Sequence, residues 1–119
     1  MKPNHHPLEH LWHATKWSLA GLKAAWQYEQ AFRIEIIASL FIVPLAFYLG
    51  EGAIEQVLML GAWLLVIIVE LLNSAIEATV DRIGTEHHEL SGRAKDLASA
   101  AVLLCNITFM GTWAILLLN

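Results

Sequence analysis

The order of apolar and polar positions divides the chain into stretches of helical length. The longest run without a charged residue covers residues 97–118, and its 22 residues suffice to cross about 30 Å of hydrocarbon as a helix. A second run is entirely apolar over residues 57–69 and then meets Glu70 and Glu77. With the apolar run before Gly50, the pattern predicts three transmembrane helices, at about residues 30–49, 53–81 and 92–118.

The stretch before these runs has a different pattern. Leu8, Leu11, Leu19 and Leu22 recur at helical spacing, with histidine and lysine residues between them. Tryptophan and lysine on a weakly hydrophobic amphipathic helix favour a position at the bilayer interface. The pattern therefore predicts a surface helix at about residues 8–27, and an ordinary solvent-facing helix is the alternative.

The composition indicates a membrane protein. Hydrophobic residues make up 57% of the 119 residues and charged residues 15%, whereas soluble domains contain about 25% charged residues. A soluble chain of this length buries only about two-thirds of its surface and could not hide so much apolar area. We predict one membrane domain over residues 1–119, with an all-α fold of one N-terminal amphipathic interfacial helix and three transmembrane helices.

The distribution of basic residues predicts how the helices are oriented. They lie before the first span and between the second and third, at Lys2, Lys16, Lys23, Arg33, Arg82, Arg93 and Lys95. Because basic residues are enriched in cytoplasmic loops, we expect the N-terminus and the loop over residues 82–95 to be cytoplasmic and Asn119 to lie outside. The net charge of −4 argues against a nucleic-acid partner, which needs clustered lysine and arginine.

Polar residues interrupt the second span on one side of the predicted helix. At about 100° per residue, Glu70, Glu77 and Asp81 fall on one stripe, with Asn73 beside them. A charged side chain inside a span costs about 3 kcal/mol on insertion scales, so it usually faces a partner or a wet cavity. We expect Glu29, at the base of the first span, and Lys95, at the start of the third, to lie at the same depth.

This set of side chains is suited to phosphoryl transfer. Glu29 and Glu77 offer the hard oxygen ligands that hold Mg²⁺, with phosphate oxygens and water completing the shell. Lys95 can neutralise a phosphate, and Glu70, which lies deeper, can act as a base on a lipid hydroxyl. The alternative is that these residues only pair across helices to fix the bundle. The Walker A motif and the protein-kinase motifs are missing from the sequence.

Two segments carry a specific resemblance: "GLKAAWQYEQAFRIE", and "VELLNSAIEATVDRIGTEHHELSGRAKDLASAAVLL" after it. The chain resembles the small prokaryotic membrane diacylglycerol kinases, most weakly before residue 14 and across residues 36–64. The resemblance implies a homotrimer in the bacterial inner membrane, each subunit with a surface helix and three transmembrane helices. It also implies transfer of the ATP γ-phosphate to diacylglycerol, giving phosphatidate, with Mg²⁺ required.

The resemblance also implies a role for individual residues. Glu70 would be the general base, Asn73 would support it, and Glu29 and Glu77 would hold the metal on ATP. The implied nucleotide contacts are His10, Trp17, Glu29, Glu77, Glu86, His87, His88, Lys95 and Asp96. The implied lipid contacts are Ala14, Thr15, Lys16, Trp17, Ser18, Leu19, Lys23, Ala24, Ala25, Trp26, Ala31, Phe32, Arg33, Ile34, Glu35, Tyr48, Gln56, Glu70, Ser99 and Trp113.

Some positions depart from the family's usual pattern, and three alternatives stay open. His10 stands where an arginine is usual, and Trp17, Tyr48 and Gln56 also differ. A related kinase of the same fold uses undecaprenol, although "HELSGRAKD" resembles the diacylglycerol branch. A small ion- or proton-translocating bundle would use the acidic residues as ion sites. A purely structural membrane subunit would use no ATP.

Overall fold

A computed structural model describes residues 6–119 of the chain; residues 1–5, which include the Lys2 of the orientation argument, lie outside it. The described residues form four helices: α1 (Pro7–Tyr28), α2 (Gln30–Leu49), α3 (Ala53–Ile83) and α4 (Glu89–Leu118). Three of them, α2, α3 and α4, are long and apolar enough to cross a membrane. The prediction of an all-helical chain with three possible spans is confirmed.

A single residue separates α1 from α2. Glu29 adopts an extended backbone conformation (φ −113°, ψ 107°), and its N–H still donates to the carbonyl of Ala25 at 2.9 Å. The guanidinium of Arg33, one turn into α2, donates to the carbonyls of Trp26 (2.8 Å) and Gln27 (3.1 Å). Arg33 thus satisfies carbonyl groups that the end of α1 leaves without intrahelical partners.

The connection between α2 and α3 is a short turn closed by side chains. Gly52 has a φ of +91°, a conformation that glycine adopts without the steric cost of a Cβ. The Gln56 amide donates to the carbonyls of Phe47 at 3.1 Å and Gly50 at 3.4 Å. A carboxylate oxygen of Glu55 accepts from the backbone N–H of Glu51 at 3.1 Å. These bonds hold α2 and α3 as antiparallel neighbours.

The most extensive packing is between α3 and α4, while α2 packs against α3 and α1 mainly meets α2. Aromatic rings form the centre of this packing: Trp63 meets Phe109 at a centroid distance of 5.0 Å, and Phe109 meets Trp113 at 5.4 Å. The indole N–H of Trp63 donates to Ser39 Oγ at 2.8 Å. Buried packing and hydrogen bonds of this kind are what join helices in lipid, where the hydrophobic effect between helices is absent.

The loop between α3 and α4 is short and capped. The chain leaves α3 at Gly84 and re-enters a helix at Glu89, earlier than the expected start near residue 92. His88 explains the early start, because its Nδ1 accepts from the backbone N–H of Leu90 at 3.1 Å. Such a side-chain bond satisfies one of the free N–H groups at a helix N-terminus. The loop therefore keeps the polar ends of α3 and α4 side by side.

Candidate active site

Four glutamates from three parts of the fold approach one another. Glu29 occupies the break between α1 and α2, Glu35 lies on α2, and Glu70 and Glu77 lie on α3. Glu70 is half-buried and lies within electrostatic range of Glu77 and Glu29. Glu35 is also half-buried and lies within electrostatic range of Glu70. Glu29 and Glu77, which the sequence predicts near the depth of Glu70, thus lie within electrostatic range of it, whereas Glu35 was not predicted there.

The glutamates differ in how their oxygens are satisfied. Glu77 accepts a hydrogen bond from the Asn73 amide at 2.7 Å, one helical turn away. Glu35 has one buried carboxylate oxygen, Oε1, with no hydrogen-bond partner among the described residues. An unpartnered buried polar atom is costly, so it commonly marks a functional position. The hydrogen bond from Asn73, by contrast, orients Glu77, which lies one helical turn closer to the α3–α4 loop.

Lys95 brings a positive charge to this region. Its Nζ lies 2.7 Å from Asp81 Oδ1, which joins the start of α4 to the end of α3. The ammonium group also lies within electrostatic range of Glu77. The sequence pattern puts Asp81 on the polar stripe but indicates no role for it. Helical spacing does indicate that Asp81 belongs with these acids, because it follows Glu77 by four residues and so continues the same helix face toward the loop.

A cavity of about 250 Å³ opens beside this ion pair. It is lined by Val80, Asp81, Gly84, Thr85, Glu86, His87, His88, Ser91, Gly92 and Lys95. Four of the predicted nucleotide residues, Glu86, His87, His88 and Lys95, therefore share one cavity, which we call the loop pocket. Asp96 is exposed and follows Lys95 on α4 without lining the pocket.

A larger groove of about 690 Å³ lies between α1 and α3. It is lined by Ser18, Gly21, Leu22, Ala24, Ala25, Tyr28, Glu29, Leu71, Ser74, Ala75 and Ala78. Ser18, Ala24 and Ala25 belong to the predicted lipid contacts, whereas the four lining residues of α3 were missed. The lining is mostly small or apolar and includes Glu29. This α1–α3 groove therefore combines a mostly apolar lining with one of the four glutamates, Glu29.

The remaining predicted lipid contacts are spread over the fold. They lie along α1 at Ala14, Thr15, Lys16, Trp17, Leu19, Lys23 and Trp26, and along the first turns of α2 at Ala31, Phe32, Arg33 and Ile34. His10, a predicted nucleotide contact, lies near the start of α1. Phe32 is buried, Trp17 stacks on His13 at a centroid distance of 5.8 Å, and Ser99 is exposed on α4. Their roles stay predictions.

Three predicted lipid contacts lie far from the glutamates. Gln56 precedes Glu70 by 14 residues on α3, a rise of about 21 Å along a helix. Its amide closes the α2–α3 turn, and Tyr48 lies exposed beside that turn. The indole N–H of Trp113 donates to the carbonyl of Met59 at 3.1 Å. Each of these residues has a local structural position, and the structure does not bring them to the four glutamates.

The side chains present fit a divalent cation held jointly with a ligand. In residues 6–119, no three His, Cys, Asp or Glu side chains are close enough together to hold a metal ion by themselves. Glu29 is half-buried and makes no capping hydrogen bond within the described chain, so its oxygens are not committed to the α2 N-terminus. Glu29 and Glu77 both lie within electrostatic range of Glu70, and each offers the hard oxygen donor that Mg²⁺ prefers when phosphates complete its shell.

Gly84 offers a test of the loop pocket. A Cβ at this position would lie 2.8 Å from Oε1 and 2.9 Å from Oε2 of Glu86, so alanine must displace that carboxylate. If Glu86 contacts the nucleotide, Gly84→Ala is expected to raise KM for ATP about three- to tenfold, since such a hydrogen bond to a charged group is worth about 1.5–3 kcal/mol and is only partly lost. Steady-state kinetics with varied ATP measure this.

Gly61→Ala is the matched control, because a Cβ on that α3 glycine meets nothing within 4 Å. An unchanged KM in Gly84→Ala would contradict a nucleotide contact by Glu86. The backbone at Gly84 is extended and suits any residue, so the folded state should tolerate the alanine.

Comparison with known proteins identifies the class to which this fold and site belong. The sequence profile of the prokaryotic diacylglycerol kinases matches residues 16–117. That match covers most of the 119 residues. The chain belongs to the prokaryotic diacylglycerol kinase family. The family predicted from the "NSAIE" and "HELSGRAKD" segments is confirmed, and so is the prediction that the chain is a kinase.

Individual relatives align with most of the chain. The chain is 57% identical over 104 residues to the diacylglycerol kinase of Escherichia coli strain K12, covering 87% of this chain and 85% of that one. It is 57% identical over 97 residues to the diacylglycerol kinase of Haemophilus influenzae, with 82% of both chains covered. Identity to the diacylglycerol kinase of Pseudomonas aeruginosa is 47% over 112 residues, covering 94% and 91%.

Proposed function

We propose that this kinase transfers the γ-phosphate of ATP directly to the free hydroxyl of diacylglycerol, giving phosphatidate and ADP. The observation that carries the proposal is the position of Glu70. This half-buried carboxylate lies within electrostatic range of Glu29, which lines the α1–α3 groove, and of Glu77, which is close to Lys95 and the loop pocket. Along α3, Glu70 lies beside the groove-lining residues Leu71 and Ser74, and Glu77 lies between Glu70 and the loop pocket.

The α1–α3 groove and the loop pocket bind different substrates in this proposal. The α1–α3 groove receives the acyl glycerol, and its small lining residues leave room for a chain. The loop pocket receives the nucleotide, whose phosphates extend from Lys95 past Glu77 toward Glu70. Glu70 accepts the proton of the lipid hydroxyl as the hydroxyl oxygen attacks the γ-phosphorus in line with the leaving ADP. The lipid hydroxyl is itself the nucleophile, so no phosphorylated enzyme intermediate is needed; trapping one on an acidic residue would contradict this step.

Glu29 and Glu77 would hold Mg²⁺ together with the phosphates of ATP. The metal ion, when bound, neutralises the charge that develops on the transferring phosphoryl group. Asn73 keeps one oxygen of Glu77 in place through its 2.7 Å hydrogen bond. In this proposal the protein supplies two carboxylates, Glu29 beside the groove and Glu77 on α3, both within electrostatic range of Glu70.

The assembly and its orientation complete the proposal. We propose a homotrimer in the bacterial inner membrane, with α1 at the interface and the α3–α4 loop in the cytoplasm. An open, mostly apolar groove of about 430 Å³ between α3 and α4 supports close helix packing between subunits. Its α4 side is lined by Ala94, Leu97, Ala98 and Ala101. The mass of the detergent-solubilised particle tests the trimer, and a mass of one or two chains would contradict it.

The reaction is tested in mixed detergent micelles with radiolabelled ATP, Mg²⁺ and dioleoylglycerol. We expect labelled phosphatidate to form, to depend on Mg²⁺ and to stop with EDTA. Undecaprenol, offered at the same mole fraction, is expected to react poorly. Preferred phosphorylation of undecaprenol would show that undecaprenol is the lipid substrate. Protein-dependent proton flux in liposomes without ATP, together with no lipid product, would favour a translocating bundle over the proposed reaction.

A further inference from the structure

Resting on the proposed function, we propose that Asp81 is a positioning residue that holds the Lys95 ammonium group in the loop pocket for the phosphates of the nucleotide. Asp81 lies near the end of α3 and Lys95 near the start of α4. Their side chains meet at 2.7 Å, and both line the loop pocket. The pair thus spans the two helices at the wall of the cavity where the nucleotide is placed.

The geometry leaves Lys95 able to bind a phosphate while it is held. An ammonium group has three N–H donors, and the bond to Asp81 Oδ1 uses one of them. The lysine side chain is long and flexible, and ordering it on binding costs conformational entropy. A carboxylate that orders it beforehand reduces this cost. Asp81 therefore favours nucleotide binding although its own charge has the same sign as the phosphates.

A role in folding does not account for this pair. Both side chains are substantially exposed, 44% for Lys95 and 58% for Asp81, and exposed ion pairs contribute little to stability. The second ion pair of the described chain, between Arg93 and Glu89, is looser at 3.4 Å and stays within one turn of α4. The Asp81–Lys95 pair differs because it is short, joins two helices and lines a cavity.

Glu77 is a second carboxylate with which the Lys95 ammonium group can pair. Lys95 lies within electrostatic range of Glu77 as well as Asp81. Without Asp81, the ammonium group is free to pair with Glu77, a carboxylate that the proposed function needs for the metal. Asp81 thus keeps the cation on the pocket side of α3 and leaves Glu77 available. Because Asp81 acts on the nucleotide only through Lys95, its effect should disappear when Lys95 is replaced.

The experiment is a double-mutant cycle on nucleotide binding. Binding of the non-hydrolysable ATP analogue AMP-PNP is measured by titration calorimetry in detergent micelles for wild type, Asp81→Ala, Lys95→Met and the double variant. We expect Asp81→Ala to weaken binding about fivefold in the Lys95 background and less than about 1.5-fold in the Lys95→Met background. An equal loss in both backgrounds, or no loss in either, would overturn the proposal.

Kinetics provide a second measurement that a merely structural role would not reproduce. Asp81→Ala is expected to raise KM for ATP about fivefold while kcat changes less than about twofold, and Asp81→Glu is expected to recover most of the loss. Glu89→Ala, which breaks the other exposed ion pair, is the matched control and should leave both constants unchanged. A fall in kcat with an unchanged KM would contradict positioning of Lys95 for binding.

The outcomes separate this inference from the function on which it rests. Wild type that makes phosphatidate and binds AMP-PNP, with additive effects in the cycle, overturns only the role of Asp81. Wild type that neither binds AMP-PNP nor makes phosphatidate overturns the proposed function and this inference together.

Discussion

Replacing Glu70 by glutamine is expected to lower kcat for phosphatidate formation by about 10²- to 10⁴-fold, the usual contribution of a positioned general base. Glutamine has nearly the same shape, but its amide cannot accept the proton of the lipid hydroxyl. KM for ATP should change little, because the proposed nucleotide contacts lie at the loop pocket and at Glu29 and Glu77. The measurement is initial-rate kinetics with dioleoylglycerol and varied ATP in mixed micelles.

The substitution should not harm the fold, and this makes its effect interpretable. Glu70 lies within electrostatic range of three other carboxylates, so removal of its charge relieves repulsion. Glu55→Gln is the matched control: it makes the same change on the same helix, at the α2–α3 turn, where Glu55 accepts from the backbone of Glu51. If Glu70→Gln retained full activity, the base would lie elsewhere, and Glu35, with its unpartnered oxygen, is the next carboxylate to test.

Replacing Glu77 by glutamine is expected to lower kcat/KM for MgATP by about 10²-fold or more at low Mg²⁺. A metal ion contributes several kcal/mol of charge stabilisation in phosphoryl transfer, and a neutral amide is a weaker ligand than a carboxylate. Raising the Mg²⁺ concentration should recover part of the activity. The measurement is kcat/KM as a function of free Mg²⁺, beside wild type and Glu55→Gln.

The shape of the Mg²⁺ dependence distinguishes a metal ligand from a packing residue. A ligand shifts the half-activating Mg²⁺ concentration upward, whereas a packing defect lowers activity at every concentration alike. The Asn73 amide can still donate to the oxygen of glutamine, so the local 2.7 Å bond is compatible with the variant. Full activity with an unchanged Mg²⁺ dependence would contradict a role of Glu77 as a metal ligand. It would support the hypothesis that the acidic residues only pair across helices to fix the bundle.

The helices and the acidic stripe could be read from the sequence because each depends on local rules. A segment as apolar as residues 57–69 satisfies its backbone in lipid by forming a helix, which fixes the span. Glu70, Asn73 and Glu77 share a face through helical periodicity alone. The positions that follow from spacing along one element were therefore predictable without any knowledge of how the elements meet.

The contacts between elements were not predictable in this way. The Asp81–Lys95 pair depends on the path of a five-residue loop, residues 84–88, which no periodic pattern describes. The groove residues Leu71 and Ser74 face α1 only because the helix breaks at Glu29 and turns the chain back. For Gln56, the resemblance implies a lipid contact, which stays a prediction; the structure adds that its amide closes the α2–α3 turn.

The wholly apolar stretch of α3 over residues 57–69 has a consequence for the two leaflets of the bilayer. No titratable side chain stands on α3 between Glu55 and Glu70, so the proposed chemistry takes place at one leaflet only. Diacylglycerol has no charge and can cross between leaflets, whereas the phosphate of the product is too strongly hydrated to follow. Each turnover would therefore trap one lipid on the side where ATP is available, and the kinase would create lipid asymmetry as well as phosphatidate.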